Sequence, residues 1–148
     1  MDIELPPDFK EFLRFLDAER VEYLLIGGYA VAFHGYPRTT EDMDIWVASN
    51  PENARRIVNA LREFGFDLPE LTPEMFLKPD SIVRLGVSPL RIDLATTISG
   101  VDFTQCYQAR ITESIDGTPV SFISLDHLKQ NKKASGRHRD LDDLEHLP

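Results

Sequence analysis

The chain has 148 residues, of which 42% are hydrophobic and 28% charged, the ordinary range for one soluble globular domain with its own core. Its net charge of −9, from 16 basic and 25 acidic residues, excludes sequence-independent nucleic-acid binding over the whole surface. There is no apolar run long enough to cross a bilayer, no signal-peptide core and only one cysteine, Cys106. We therefore expect a single domain over residues 1–148, in the cytoplasm and away from membranes.

Hydrophobic periodicity divides the first half of the chain into alternating helices and strands. The predicted elements are helix Phe9–Leu16, strand Val21–Ile26, helix Tyr29–His34, strand Asp42–Val47 and a helix over residues 51–64. Gly35 and Pro37 end the second helix, and Asn50 caps the third. Residues 66–80 contain three prolines and are predicted as a loop with one helical turn.

The second half continues the pattern with more strands. We expect strands Ile82–Val87 and Arg91–Thr96 around Ser88-Pro89, a helix over 102–108, strands Ile111–Ile115 and Val120–Ile123 around Asp116-Gly117, a helix from Ser124 to Gly136, and helix Asp140–Leu147. This order predicts an α+β (α/β) domain in which helices flank a mixed β-sheet.

The pair Gly27-Gly28 joins the first strand to the second helix. Glycine allows a ligand to approach the backbone closely, and the free N–H groups at a helix start attract anions. The pair therefore predicts a phosphate-binding turn. Taken alone, it is equally explained as a tight turn, and it matches neither the dinucleotide fingerprint nor the P-loop.

Asp42 and Asp44 stand two residues apart on a predicted strand, so their side chains share one face while Met43, Ile45 and Val47 face the core. Two adjacent carboxylates repel each other unless a cation lies between them, and hard oxygen ligands suit Mg²⁺. The alternative is a solvated strand end.

Asp93 is an acid in the middle of another apolar strand. Buried aspartates are rare unless paired, so Asp93 is either a third metal ligand beside Asp42 and Asp44 or the ion-pair partner of Arg91. Three carboxylates around two Mg²⁺ ions would support in-line attack on phosphorus.

In this order, the glycine pair, the Asp-x-Asp strand and the later aspartate resemble the nucleotidyltransferase superfamily of DNA polymerase β-like fold. The phrase PRTTEDMDI and the tail FISLDHLKQNKKASGRHRDLDDLEHL resemble the minimal AbiEii (type IV toxin-like) members. The resemblance extends over residues 21–147. It departs from the superfamily where Gly28 replaces a commoner serine, and we expect the chain to lack the separate C-terminal helical domain of the larger members.

The resemblance implies a role for each matching residue. Gly27 and Gly28 would hold a triphosphate, while Asp42, Asp44 and Asp93 would bind Mg²⁺, with Asp93 also able to activate the acceptor hydroxyl. Among the basic residues, Lys129 would meet the phosphates as a catalytic residue and Arg38 would contact phosphate or acceptor. Asp140 would orient Lys129 or pack the last helices.

Residues 129–139 read KQNKKASGRHR and form an acid-free basic cluster, with Lys129, Lys132 and Lys133 on one side of a helix. The cluster is either a phosphate-binding surface or a solvated helix face.

The leading functional hypothesis is transfer of a nucleoside monophosphate from an NTP to a hydroxyl on tRNA, protein or a small molecule. The resemblance implies a toxin–antitoxin or defence setting with a cognate antitoxin. The alternatives are a non-catalytic module that binds a nucleotide or a partner, and phosphodiester hydrolysis at the same metal site.

Overall fold

The computed structural model describes residues 4–87 and 90–148. Its helices are α1 (Pro7–Ala18), α2 (Gly27–Phe33), α3 (Pro51–Phe64), α4 (Phe103–Gln108), α5 (Leu125–Ser135) and α6 (His138–His146), with a 3-10 turn at Pro73–Phe76. Its strands are β1 (Tyr23–Ile26), β2 (Asp42–Val47), β3 (Ile82–Val87), β4 (Leu90–Ala95), β5 (Ile111–Ile115) and β6 (Thr118–Phe122). The predicted link at Ser88-Pro89 lies outside the described residues.

The strands form one mixed sheet in the order β3-β4-β2-β1-β6-β5, which confirms the predicted fold class. β2 runs parallel to β4 and antiparallel to β1, and β1 runs parallel to β6. The two strands that carry the predicted acids, β2 and β4, are therefore direct neighbours. In their register Asp44 lies opposite Asp93, and Asp42 lies opposite Arg91.

Alternate side chains of β2 point to opposite faces of the sheet. Met43, Ile45 and Val47 are fully buried in the larger core, which α1 and α3 cover. Trp46 points to the other face and packs in a second core beneath α2, α4 and α5. Asp42 and Asp44 share that second face, beyond the point where its apolar cover ends.

Local chemistry explains where predicted and observed boundaries differ. α2 begins at Gly27, two residues before the prediction, and the chain enters it through a φ of +65° at this residue that glycine adopts without strain. α6 begins at His138, two residues before the prediction, because the Asp140 side chain accepts the Arg137 N–H at 3.3 Å in a capping box. Within residues 4–87 and 90–148, every helix is too short or too polar to span a membrane.

Candidate active site

The glycine turn lies directly against the acidic strand. Ile26, the last residue of β1, pairs with Asp44 across the sheet, so the chain turns into α2 next to that carboxylate. A Cβ atom added to Gly27 would collide with Asp44 Oδ2. Glycine is therefore required here by both the positive φ and the space that the Asp44 side chain occupies.

Gly28 packs closely against the side chain of Thr40. A Cβ atom at position 28 would lie 2.7 Å from Thr40 Oγ1 and 2.8 Å from Thr40 Cβ. The Thr40 hydroxyl donates a hydrogen bond to the main-chain oxygen of Asp42 at 3.1 Å, which fixes it in this position. Thr40 fills the space that a serine side chain at position 28 would need, and this explains the departure from the superfamily pattern.

The three predicted acids line one cavity. Asp42, Asp44 and Asp93 lie along its wall together with Gly27 and Gly28, and the cavity has a volume of about 800 Å³. Asp93 is buried and Asp42 and Asp44 are half-buried. The sheet register therefore brings together acids that are about fifty residues apart in the chain.

Two arginines face these acids. Arg91 Nη2 donates a hydrogen bond to Asp42 Oδ2 at 2.7 Å, and Arg91 Nε lies 3.3 Å from Asp93 Oδ1. Arg84 Nε lies 3.7 Å from the same Asp93 oxygen. The Arg91–Asp93 ion pair considered from the sequence is present, but the stronger contact of Arg91 is with Asp42, which only the strand register reveals.

The crowding of acids changes the pKa of Asp44. Burial, followed by the charges of Asp93 and Asp42, raises the pKa of the Asp44 carboxyl to about 6, against the opposing effects of Lys132 and Arg91. Asp44 therefore holds its proton to a higher pH than a solvent-exposed aspartate does.

The structure brings Lys132 to the cavity, and not Lys129. Lys132 Nζ is buried and lies 3.1 Å from Asp140 Oδ1 and 3.0 Å from Asp143 Oδ2. Lys129 Nζ instead donates to the main-chain oxygen of Pro148. The two lysines are almost one helical turn apart, and the packing of α5 against α6 selects the one that points inward.

Two buried carboxylates on α6 organise the basic side of the cavity. Asp143 accepts two hydrogen bonds from Arg38, at 3.0 and 3.2 Å, and Asp140 accepts one from Arg137 Nε at 2.9 Å. Burial acts to raise the pKa of Asp140, but hydrogen bonds from Arg137, Ser135 and Lys132 outweigh it and hold that pKa well below its ordinary value. Asp140 thus contacts Lys132, whereas the resemblance implied that it would orient Lys129 or pack the last helices.

Asp143 is a functional candidate that the sequence did not single out, and Lys132 was named there only as one member of the basic cluster. A usable signal was present, because Asp140, Asp143 and Leu147 recur at helical spacing. Two acids on such an inward stripe require a buried cation. The basic cluster is likewise divided, since Lys132, Arg137 and Arg139 line the cavity whereas Lys129 and Lys133 do not.

The mixed sheet and its acidic cavity beside a glycine turn define a nucleotidyltransferase type of domain. A solved structure from Thermotoga maritima, described as that of a candidate nucleotidyltransferase, has a similar fold. The TM-score is 0.64 at 17% identity, over 93% of this chain and 88% of that chain. A search of curated proteins gives no significant match.

The family itself follows from the sequence model that matches the chain. The model of the aminoglycoside-2''-adenylyltransferase family matches residues 8–147, and the chain belongs to this family. This confirms the nucleotidyltransferase superfamily predicted from the glycine pair and the acids.

The contact between Gly28 and Thr40 predicts a compensating pair of substitutions. We expect Gly28→Ser alone to lower the free energy of unfolding by about 1–3 kcal/mol through overpacking. In a Thr40→Gly background the same change should cost little, since the obstructing side chain is gone. Chemical denaturation of the four proteins measures this coupling.

Gly27→Ala is the control for that pair, because its cost comes from the positive φ and from Asp44 and should persist in the Thr40→Gly background. Equal costs for Gly28→Ser with and without Thr40 would show that the packing assigned to Thr40 is wrong.

The raised pKa of Asp44 predicts a pH-dependent stability difference in the metal-free protein. An aspartate whose folded pKa lies above its unfolded value contributes stability at low pH that is lost as pH rises through about 6. Asp44→Asn should therefore become more stable than the wild type between pH 4 and 7, by up to about 3 kcal/mol. Urea denaturation across this range measures the difference.

Asp116→Asn provides a control of opposite sign. A hydrogen bond from Lys10 lowers the pKa of Asp116, so this variant should be the less stable protein at neutral pH, with the gap closing in acid. A flat difference between Asp44→Asn and the wild type over the whole range would contradict the account of Asp44.

Proposed function

We propose that this protein is a Mg²⁺-dependent nucleotidyltransferase that transfers a nucleoside monophosphate from an NTP to a hydroxyl acceptor and releases pyrophosphate. The observation that carries the proposal is the shared cavity, in which three carboxylates from adjacent strands meet the glycine turn and the buried Lys132. Membership of an adenylyltransferase family supports it and favours ATP as the donor.

The carboxylates have the chemistry that a divalent cation requires. Asp93 Oδ1 is buried and has no hydrogen-bond partner in the described part of the chain, and the charged form of Asp44 is destabilised by burial and by two like charges. A hard cation would satisfy both groups. As the side chains stand, residues 4–87 and 90–148 contain no group of three or more His, Cys, Asp or Glu residues spaced as a ready metal site. Mg²⁺, however, commonly needs only one or two carboxylates besides substrate phosphates.

The residues on the two sides of the cavity have different roles in the proposed reaction. Asp42 and Asp44 would hold the metal, which when bound neutralises triphosphate charge and lowers the pKa of the acceptor hydroxyl. The backbone N–H groups of Gly27 and Gly28, at the start of α2, would contact the phosphate oxygens. Asp93 would accept the proton of the acceptor hydroxyl. The hydroxyl oxygen then bonds to the α-phosphorus while the bond from that phosphorus to pyrophosphate breaks.

Lys132 supplies positive charge for the departing pyrophosphate. Its two aspartate partners hold it in one rotamer, so little side-chain entropy is lost when phosphate binds. Arg38 is fixed in the same way by Asp143 and would contact phosphate or acceptor from the cavity rim. Four acids and six bases line the cavity, which is suited to an anionic donor in a chain of net charge −9.

The acceptor is proposed only as a hydroxyl. The family description names adenylyl transfer to an aminoglycoside, a small molecule with many hydroxyls. The resemblance to toxin-like members favours RNA or protein acceptors instead, in a toxin–antitoxin or defence setting with a cognate antitoxin. An NTP donor is available in the cytoplasm, where we expect the protein to act.

A non-catalytic binding module is the second candidate, and one contact favours it. Arg91 neutralises Asp42 and Asp93 without a metal, so the acids are tolerated in a protein that performs no chemistry. Such a module would bind a nucleotide or a partner and release no pyrophosphate.

Transfer of label from α-labelled NTPs tests the function. We expect labelled product from one NTP with Mg²⁺ and total RNA, cell extract or an aminoglycoside. Asp42→Asn with Asp44→Asn should reduce it by on the order of 10²–10⁴-fold, since several kcal/mol of transition-state stabilisation is lost. Lys132→Gln should also reduce transfer, whereas Lys133→Gln, an exposed neighbour on α5 outside the cavity, should not.

Melting curves of the same variants separate loss of chemistry from loss of folding. Equal transfer by the wild type and the double aspartate variant would overturn the assignment of the acids. Mg²⁺-dependent NTP binding without transfer to any acceptor would favour the binding module.

A further inference from the structure

Strand register places two basic residues in line with the acids. β3, β4 and β2 are consecutive in the sheet, and one row across them reads Arg84, Asp93 and Asp44. The adjacent row reads Gly86, Arg91 and Asp42. Arg91 therefore lies between a carboxylate on its own strand and one on β2, where it meets two of the three acids assigned to the metal.

The contacts of Arg91 are uneven. It makes one short hydrogen bond, from Nη2 to Asp42 Oδ2 at 2.7 Å, while its Nε lies 3.3 Å from Asp93 Oδ1. These last two atoms are buried, and neither has a hydrogen-bond partner within the described residues. The guanidinium is attracted to both acids but satisfies neither of them fully.

Arg38, in the same cavity, forms a fixed salt bridge with which Arg91 can be compared. Arg38 meets Asp143 through two parallel hydrogen bonds, with side-chain exposures of 18% and 0%. Bidentate pairing of this kind is the strong, fixed form of an arginine–carboxylate contact. Arg91 and Asp42 form a single bond, and their side chains are 35% and 34% exposed. Arg91 is therefore free to leave toward solvent, which Arg38 is not.

We propose that Arg91 is the counter-ion of the metal site. In the metal-free protein it pairs with Asp42 and Asp93, and it has to leave Asp42 when a divalent cation binds. This inference rests on the proposed metal-dependent function. Guanidinium and metal compete for the same oxygens, so Arg91 lowers the apparent metal affinity and keeps the crowded acids neutralised until the metal arrives. Its effect is specific because it contacts Asp42, a ligand that Arg84 does not reach.

Mn²⁺ binding to the full chain, followed by calorimetry and by electron paramagnetic resonance of free Mn²⁺, tests the competition without any activity assay. We expect Arg91→Gln to bind Mn²⁺ about tenfold more tightly than the wild type, because a charged hydrogen bond no longer has to be broken. Arg91→Lys, which keeps the charge but not the fork, should fall between them.

Arg84→Gln is the matched control, because it removes the same charge from the adjacent strand. Arg84 is 61% exposed and lies 3.7 Å from Asp93, so its loss should change Mn²⁺ affinity less than about threefold. Loss of binding in Asp42→Asn with Asp44→Asn assigns the measured Mn²⁺ to this site, and melting curves confirm that each variant is folded.

The outcomes separate this proposal from the function on which it rests. Equal or weaker Mn²⁺ binding by Arg91→Gln, with the wild type binding metal and transferring nucleotide, overturns only the role of Arg91. Equal gains for Arg91→Gln and Arg84→Gln also overturn it, since they reveal a general charge effect. Failure of every protein to bind Mn²⁺, with or without a non-hydrolysable NTP, overturns both the metal-dependent function and this inference.

Discussion

Repulsion among Asp42, Asp44 and Asp93 is the interaction to which the rest of the site responds. The parallel register of β2 and β4 brings these carboxylates to one cavity wall, and burial raises the cost of their charge. Three devices offset that cost in the metal-free protein: the arginines of β3 and β4, the positive charge of Lys132, and the raised pKa of Asp44. Three acids crowded on one cavity wall add nothing to a stable core, which is why we propose a chemical role for them.

The basic side of the cavity follows a different rule. Lys132 is fixed by Asp140 and Asp143, and the same two acids fix Arg137 and Arg38. Lys132 on α5 and Arg38, which precedes β2, are thus held in place by buried carboxylates of α6. On the acidic side, by contrast, Arg91 is held by one good hydrogen bond and is half-exposed. Lys132 and Arg38 are therefore held by buried partners, whereas we propose that Arg91 exchanges with a metal ion.

The parts that sequence predicts well are those set by local periodicity. Strand Asp42–Val47 agrees with its prediction at both ends. Its alternating pattern already places Met43 and Ile45 on the face of the sheet away from the two acids. The resemblance pointed to Lys129, whereas the structure brings Lys132 to the cavity, and this difference is tertiary because it depends on which side of α5 meets α6. The contacts between Arg91 and Asp42 and between Thr40 and Gly28 also join separate elements, and no local pattern encodes them.

The central claim is that the carboxylates and the glycine turn form one metal–nucleotide site. A crystal structure with Mn²⁺ and a non-hydrolysable ATP analogue, with Mn²⁺ located by its anomalous signal, tests it most directly. The account predicts an anomalous peak within coordination distance of Asp42 and Asp44, with the triphosphate against Gly27 and Gly28 and near Lys132. A nucleotide bound elsewhere, or a Mn²⁺ peak that none of the three carboxylates coordinates, would contradict it.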